Sequence, residues 1–407
     1  MISEQKLKHQ IEKLMIQNRR QCGDHYYTVP SPLSYPFQWF WDSCFHGIIQ
    51  SYFDTDYAKK ELTALTAKQF KNGMIPHMIY WEDPHRFSFP IIAWGKHGTS
   101  SITQPPMLAY AVWSIYEKDK DKEFLKTILP AINKLHRYFL RVRDPYNHHL
   151  VGLINPDESG EDNSPRFDSA LKLKPRQSID VNYHRRLKLV EKYRLHRFRI
   201  KKHMANFCWV RDVPINAILV KNLLIESQIA AELDLKEQSD WAKRQAEHIA
   251  NAMRKYMLEE SGMMMSTMGL NYHHIAIKTW AMFAPMFAEV LTPLEVQKIV
   301  DEHLHNKREF NTTYGVPTVA VNEPSFDAEG FWRGPIWIST NWFIYKGLLN
   351  YGFKEDANKI LQDTLFLIQK HGFREQYNPI TGEPMGAENF TWGGLVLDMI
   401  ADIDKQR

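Results

Sequence analysis

Between Asn155 and Asp168 five carboxylates, Asp157, Glu158, Glu161, Asp162 and Asp168, crowd around Arg166. Such a cluster is either a solvated acidic turn or the source of a carboxylic acid whose proton is held by burial or by a neighbouring negative charge. Cleaving a glycosidic bond needs an acid of that kind together with a second carboxylate, and residue type alone does not choose among the five. Glu375 is a separate candidate. Helical spacing ends near His371 and Gly372, and a Glu just past a helix C-terminus opposes the helix dipole, which points to a role other than local stability.

Aromatic residues accompany these carboxylates along the chain. Tyr35, Trp39 and Trp41 lead into Asp42; Tyr80 and Trp81 precede Glu82 and Asp83; Gln104 stands before Pro105 and Pro106. Trp332, Arg333 and Trp337 form another group, and Gln376 and Trp392 follow Glu375. A sugar ring presents apolar faces that stack on aromatic rings and hydroxyls that need fixed carboxylates or amides. Each cluster alone also has a plainer reading: Trp39 and Phe40 as core, Asp42 as a helix cap, Arg333 as one half of a buried ion pair.

The elements that must position these residues are helical. Leu125, Ile128, Leu129, Ile132, Leu135 and Phe139 recur at separations of three and four, as one buried helical stripe requires. Ala242 to Met257 and Ala357 to Ile368 repeat the pattern. Thr292-Pro293-Leu294-Glu295 reads as a capping box with Pro at the first helical position, and Pro335 is placed to open a helix running to Leu349. Between the stripes lie long stretches rich in Pro, Gly, Asn and aromatics, at 30–38, 81–106, 155–175, 312–335 and 373–389. Structureless connections of that length are uncommon unless functional. Spread from the first tenth of the chain to the last, they fit the walls of one site on a closed helical ring. The expectation is an all-α chain forming one catalytic unit over residues 1–407, with 171–203 as a basic lid or inserted segment.

Composition bounds the rest. With 44% hydrophobic and 24% charged residues in 407, the chain has material for a sizeable core. No apolar run reaches the roughly 18 residues of a membrane span, no secretory signal is visible at the start, and Cys22, Cys44 and Cys208 form no disulfide framework; a cytoplasmic location is expected. The net charge of +4 is too mild to imply nucleic acid. Twelve Lys and Arg residues nevertheless fall between Lys172 and Lys202 against only Asp180 and Glu191. That segment is either a solvated face or the source of one or two arginines, among Arg185, Arg186, Arg194 and Arg197, that reach a carboxylated substrate.

Taken in order, Gln38-Trp39-Phe40-Trp41-Asp42-Ser43, Ser159-Gly160-Glu161-Asp162-Asn163-Ser164-Pro165-Arg166, Asp212-Val213-Pro214-Ile215-Asn216-Ala217, Phe331-Trp332-Arg333-Gly334-Pro335 and Glu375-Gln376-Tyr377-Asn378-Pro379 with Phe390-Thr391-Trp392 resemble glycoside hydrolase family 63, of the trehalase-like clan. Within it the chain is most similar to the bacterial mannosylglycerate and glucosylglycerate hydrolases. The resemblance implies an (α/α)6 barrel with long catalytic loops at one end and an inverting α-glycosidase releasing glucose or mannose from a small α-glycoside. It implies Asp162 as general acid and Glu375 as general base. Tyr35, Trp39, Trp41, Asp42, Tyr80, Trp81, Gln104, Arg166, Trp332, Arg333, Trp337, Gln376 and Trp392 are then the expected substrate-binding residues. The acid is expected in less solvated or more negative surroundings than Glu375, with Glu158, Glu161 and Asp168 as the neighbours that make them so.

Two departures stand out: Pro214 where a helix-compatible apolar residue is expected, and the basic stretch 171–203. No Cys and His arrangement suggests a structural zinc and no Gly-rich nucleotide loop occurs, so neither cofactor nor metal is expected. The partner is a small carbohydrate, without nucleic acid or membrane, and homo-oligomers are compatible with the sequence. The competing functions are an α-glucosidase on a neutral disaccharide or glucosylglycerol, and a sugar-binding protein without catalysis.

Overall fold

A computed structural model describes residues 3–82, 98–204 and 209–404. Asp83, most of the loop expected over 81–106 and Cys208 lie outside the described residues, as does the side chain of Lys202. The helices alternate between two layers. In chain order the outer and inner members are α1 (Glu4–Asn18) and α2 (Phe40–Gln50), then α3 (Thr55–Ala67) and α4 (Leu108–Asp119). Next comes the outer α5 (Lys122–Val142), followed by α6 (Ile179–Leu195), which belongs to neither layer, and the inner α7 (Val213–Glu232). The circuit is completed by α8 (Lys236–Tyr256) and α9 (Ala284–Phe287), α10 (Pro293–Ile299) and α11 (Ile338–Asn350), and α12 (Lys354–His371) and α13 (Val396–Asp404). Inner helices touch in a closed cycle, α2 to α4 to α7 to α9 to α11 to α13 and back to α2. This is the (α/α)6 toroid.

Residue pattern explains the layering. All of α2 and most of α7 and α11 are buried, as helices apolar on every side must be. By contrast α5, α8 and α12 bury one stripe each, the stripes at Leu125 to Phe139, Ala242 to Met253 and Ala357 to Ile368. The capping box is formed, with Glu295 N–H donating to Thr292 Oγ1 and Thr292 N–H to Glu295 Oε2. Pro214 falls in the first turn of α7, where its missing N–H costs nothing. One boundary differs from expectation: α11 opens at Ile338, not at Pro335, because Ile336 exchanges both backbone hydrogen bonds with Tyr377 (2.8 and 3.0 Å) and is held extended. Sheet structure among the described residues is limited to short antiparallel ribbons.

The alternation of outer and inner helices brings the starts of the inner ones to a common rim. Asp42 lies in the first turn of α2, Asp212 and Trp337 cap α7 and α11, and Trp392 and Gln104 stand just before α13 and α4.

Candidate active site

A cavity of about 810 Å3, open mouth included, lies at that rim. Its floor is a set of packed indoles. Trp332 and Trp337 stack with centroids 3.8 Å apart and planes 7° from parallel, and Trp41 meets Trp392 edge to face at 5.1 Å. Trp39 and Tyr35 continue the wall, edge to face at 5.5 Å. Gln104 accepts from the backbone N–H of Trp41 at 3.2 Å, tying the loop before α4 to the start of α2.

Asp42 is 4% exposed, and its Oδ1 accepts a hydrogen bond from Trp392 Nε1 at 2.8 Å. Burial pushes its proton affinity up, to a pKa of about 6, against the opposing effects of His46 one turn along α2 and of the Trp392 donor.

Glu375 reaches the cavity from a two-stranded ribbon, Arg374–Tyr377 paired with Pro384–Glu388, and not from the end of α12. The helix stops at Gly372, which takes a positive φ of 74°, and the chain leaves as a strand. Both carboxylate oxygens of Glu375 are held: Tyr35 OH donates to Oε1 at 2.5 Å and Ala387 N–H to Oε2 at 2.8 Å. Gly386, at φ 69°, lets the partner strand lie against the carboxylate; a Cβ there would stand 2.3 Å from Oε2. Burial raises the proton affinity of Glu375, the two donors oppose the rise, and the charge of Asp162 adds to it.

The five clustered carboxylates separate by partner. Glu158 is clamped by both terminal nitrogens of Arg143 and also accepts from the Ile154 and Thr103 amides. Glu161 takes a bidentate bond from Arg166 (2.8 and 2.9 Å) and one from Trp280 Nε1, and Arg166 continues to Asp212. Asp168 is bonded by Arg333 at 2.7 and 3.0 Å. These three buried pairs fasten the loop to the toroid. Only Asp157 and Asp162 face the cavity, and both contact Nη1 of Arg186, Asp162 at 3.2 Å. Gly160, at φ 74°, presses the same loop onto Trp41, whose ring a Cβ would meet at 2.3 Å.

Of the residues singled out in the sequence, the cavity therefore unites Asp162, Glu375, Tyr35, Trp39, Trp41, Asp42, Gln104, Trp332, Trp337 and Trp392. The others lie elsewhere. Arg166 and Arg333 are buried ion-pair partners beneath the loop. Gln376 follows Glu375 on a strand, so strand alternation turns it to the opposite face. Trp81 stacks on His25 and donates to Gln38 Oε1, and Tyr80 packs edge-on against Phe37. The expected solvation order is also reversed: Glu375 is 5% exposed, whereas the Asp162 side chain is 34% exposed. The expected negative neighbours Glu158, Glu161 and Asp168 are each neutralised by an arginine, and the carboxylate that faces Asp162 is Asp157.

Sequence reasoning missed Tyr183, His77 and Phe390 as lining residues, left Asp157 undivided among five carboxylates, and left Arg186 as one of four candidates. Of the four, Arg185, Arg194 and Arg197 are exposed. A signal existed: Asn182, Arg186, Leu189, Val190 and Tyr193, the buried face of α6, recur at helical spacing, which places Arg186 inward.

With this geometry in place, the chain matches the family described as the mannosylglycerate hydrolase MGH1-like glycoside hydrolase domain over residues 35–393. It belongs to that family. The match agrees with the resemblance read from the five motifs, and the chain is a glycoside hydrolase. It is 31% identical to a mannosylglycerate hydrolase of Thermus thermophilus over 91% of this chain and 95% of that one. It is 27% identical to a glucosylglycerate hydrolase of Mycolicibacterium hassiacum over 92% and 94% of the two chains. A crystal structure of a glycoside hydrolase family 63 mannosylglycerate hydrolase from Thermus thermophilus, in complex with Tris and D-glycerate, superposes with a TM-score of 0.88 at 30% identity, over 97% of this chain and all of that one. Among the described residues no helix is long and apolar enough to cross a membrane.

Proposed function

We propose that this glycosidase hydrolyses an α-glucoside or α-mannoside of glycerate with inversion, Asp162 acting as general acid and Glu375 as general base. The observation that carries the reading is the placement of Asp162, Glu375 and Arg186 around one indole-floored cavity. In an inverting reaction the base activates a water on one face of the sugar while the acid protonates the departing oxygen on the other. Glu375 is fixed through both oxygens, and desolvation strengthens it as a base above the pH at which it titrates. Asp42, the Trp392 edge and the stacked Trp332 and Trp337 supply an acceptor and apolar faces for the sugar ring. Arg186 and Tyr183 stand on the Asp162 side, where the leaving group departs, and a guanidinium suits a glycerate carboxylate. The names of the relatives favour the same substrates.

We read residues 1–407 as one catalytic domain, in which 171–203 is a segment inserted between α5 and α7 that completes the aglycone side through Arg186. Cys22 and Cys44 are free thiols, which supports a cytoplasmic enzyme.

The test is a screen of glucosylglycerate, mannosylglycerate, glucosylglycerol, trehalose, kojibiose and kojitriose, with proton NMR recording the first anomer released. Cleavage of a glycerate conjugate with the β-anomer appearing first is expected; an α-anomer first, or no turnover of either glycerate conjugate, overturns the reading. Asp162→Asn should lose most kcat on natural leaving groups and less on an activated one, whereas Glu375→Gln should be impaired on both.

A further inference from the structure

The contact between Asp162 and Arg186 creates a chemical problem. An acid catalyst has to hold a proton, but a guanidinium pairs with the deprotonated carboxylate. In the structure Arg186 Nη1 bonds Asp162 Oδ2 at 3.2 Å and also bonds Asp157, and Nε donates to Asn182 Oδ1 at 2.9 Å. Arg186 and Asp157 are both buried. One cation thus serves two carboxylates in a nearly closed place, and the surplus negative charge favours the uptake of a proton by one of them. Burial raises the proton affinity of Asp157, Arg186 opposes the rise and the charge of Asp162 adds to it, to a pKa of about 7. Asp162 is the more exposed of the two, so once its bond to Arg186 is given up it is the one in contact with solvent.

We propose that Asp157 and Arg186 act as positioning residues that couple the acid to the charge of the leaving group: the aglycone carboxylate takes the place of Asp162 on Arg186, and the freed Asp162 is the acid for that same substrate. This rests on the reading of a glycerate conjugate as substrate. The carboxylate arrives as a third anion beside a single guanidinium. Asp162 turns from Arg186 towards the glycosidic oxygen and takes one proton from water at the cavity mouth. It passes that proton to the departing oxygen as the C–O bond breaks, while Glu375 accepts a proton from the attacking water. When the carboxylate product leaves, the Asp162 anion returns to Arg186 and Glu375 gives its proton back to solvent, replacing the one that Asp162 took up. Asp157 keeps Arg186 anchored throughout, so the cation is shared between anions and never fully committed to Asp162. Selectivity for an anionic aglycone then appears in kcat as well as in KM, because the charge acts on the catalytic group and not only on binding.

The experiment compares α-glucosylglycerate, neutral α-glucosylglycerol and α-glucosyl fluoride, whose leaving group needs little protonation, in the wild type, Arg186→Gln and Asp157→Asn, with thermal melts to confirm folding. The wild type is expected to show a kcat at least about tenfold higher for glucosylglycerate than for glucosylglycerol, the scale of one pK unit of coupling. In Arg186→Gln that ratio should fall to about one, with kcat on glucosylglycerol rising above the wild-type value because Asp162 is no longer sequestered. Asp157→Asn leaves Arg186 committed to Asp162, so kcat should fall about fivefold or more further for glucosylglycerol than for glucosyl fluoride.

A merely structural or purely binding role gives other results. If Arg186→Gln lowers kcat equally on both conjugates, or raises only KM for glucosylglycerate, the coupling is overturned. If Arg186→Gln does not fold, equal losses on glucosylglycerol and glucosyl fluoride in Asp157→Asn overturn it alone. Failure of the wild type to cleave any glycerate conjugate overturns the substrate reading, and this inference with it. Turnover of both conjugates with equal kcat overturns only the coupling.

Discussion

Gly386→Ala tests whether the geometry of the base depends on a glycine that never touches substrate. The added Cβ would stand 2.3 Å from Glu375 Oε2 and 2.8 Å from Glu375 Cβ. Relief to ordinary van der Waals separation requires a displacement of about 1 Å, and a misplacement of that size can cost on the order of 100-fold in rate. The same shift breaks the 2.8 Å bond from Ala387 N–H, on the next residue of the ribbon. An alanine at φ 69° also carries about 1–2 kcal/mol of backbone strain. Expected, therefore, is a kcat lower by about 100-fold on any α-glycoside, activated leaving groups included, with a loss of only a few degrees in Tm, the shift that about 1–2 kcal/mol of strain produces in a chain of this size. Steady-state kinetics on glucosyl fluoride and on a glycerate conjugate, with a melt by circular dichroism, supply both readings. A folded Gly386→Ala enzyme with kcat within threefold of wild type would show that the base tolerates the displacement or that Glu375 is not the base.

Tyr35→Phe removes the donor to Glu375 Oε1; that bond holds the proton affinity of Glu375 down, so its loss should move the acid limb of the kcat/KM profile to higher pH, and a limb that stays put or moves down contradicts the assignment. Asp42, raised by burial to about 6 from an ordinary 3.8, binds a proton in the folded chain that the unfolded chain has shed between those values. Its contribution therefore makes the fold less stable as pH rises through that window, by at most about 3 kcal/mol. Asp42→Asn should flatten this dependence, seen as a smaller drop in Tm from pH 4 to pH 6.5, and an unchanged slope refutes it. Arg166→Met strands Glu161 and Asp212 as unpaired buried carboxylates and should cost about 3–5 kcal/mol, read by chemical denaturation. A loss below about 1 kcal/mol would show that Arg166 is not the fastener of the loop.

Much was legible in the residues themselves. The helical stripes of α5, α8 and α12 appear because burial on one side of a helix imposes a period that survives in any single sequence. The capping box at Thr292 is equally local, since its two hydrogen bonds close within four residues. The five motifs carried the family and the toroid, and most of the indoles in them stand in the cavity, because a Trp beside a fixed carboxylate has few other reasons to recur in breaker-rich loops.

What the tertiary structure alone decided is which polar groups are spent on one another. Glu158, Glu161 and Asp168 look the same as Asp157 and Asp162 in the chain, and they differ because Arg143, Arg166 and Arg333 arrive from 15, 5 and 165 residues away to neutralise them. Arg333 and Arg166 were expected at the sugar for the same reason: an arginine's type does not reveal whether its fork meets a substrate or a buried carboxylate. Ile336 and Tyr377 pair across 41 positions of sequence, and that contact delays α11 and turns the chain at Glu375 into a strand. The side of α6 that Arg186 occupies is written in its helical period. That it falls between Asp157 and Asp162 follows only from the closure of the ring, which sets the distance between loops that the sequence leaves unrelated.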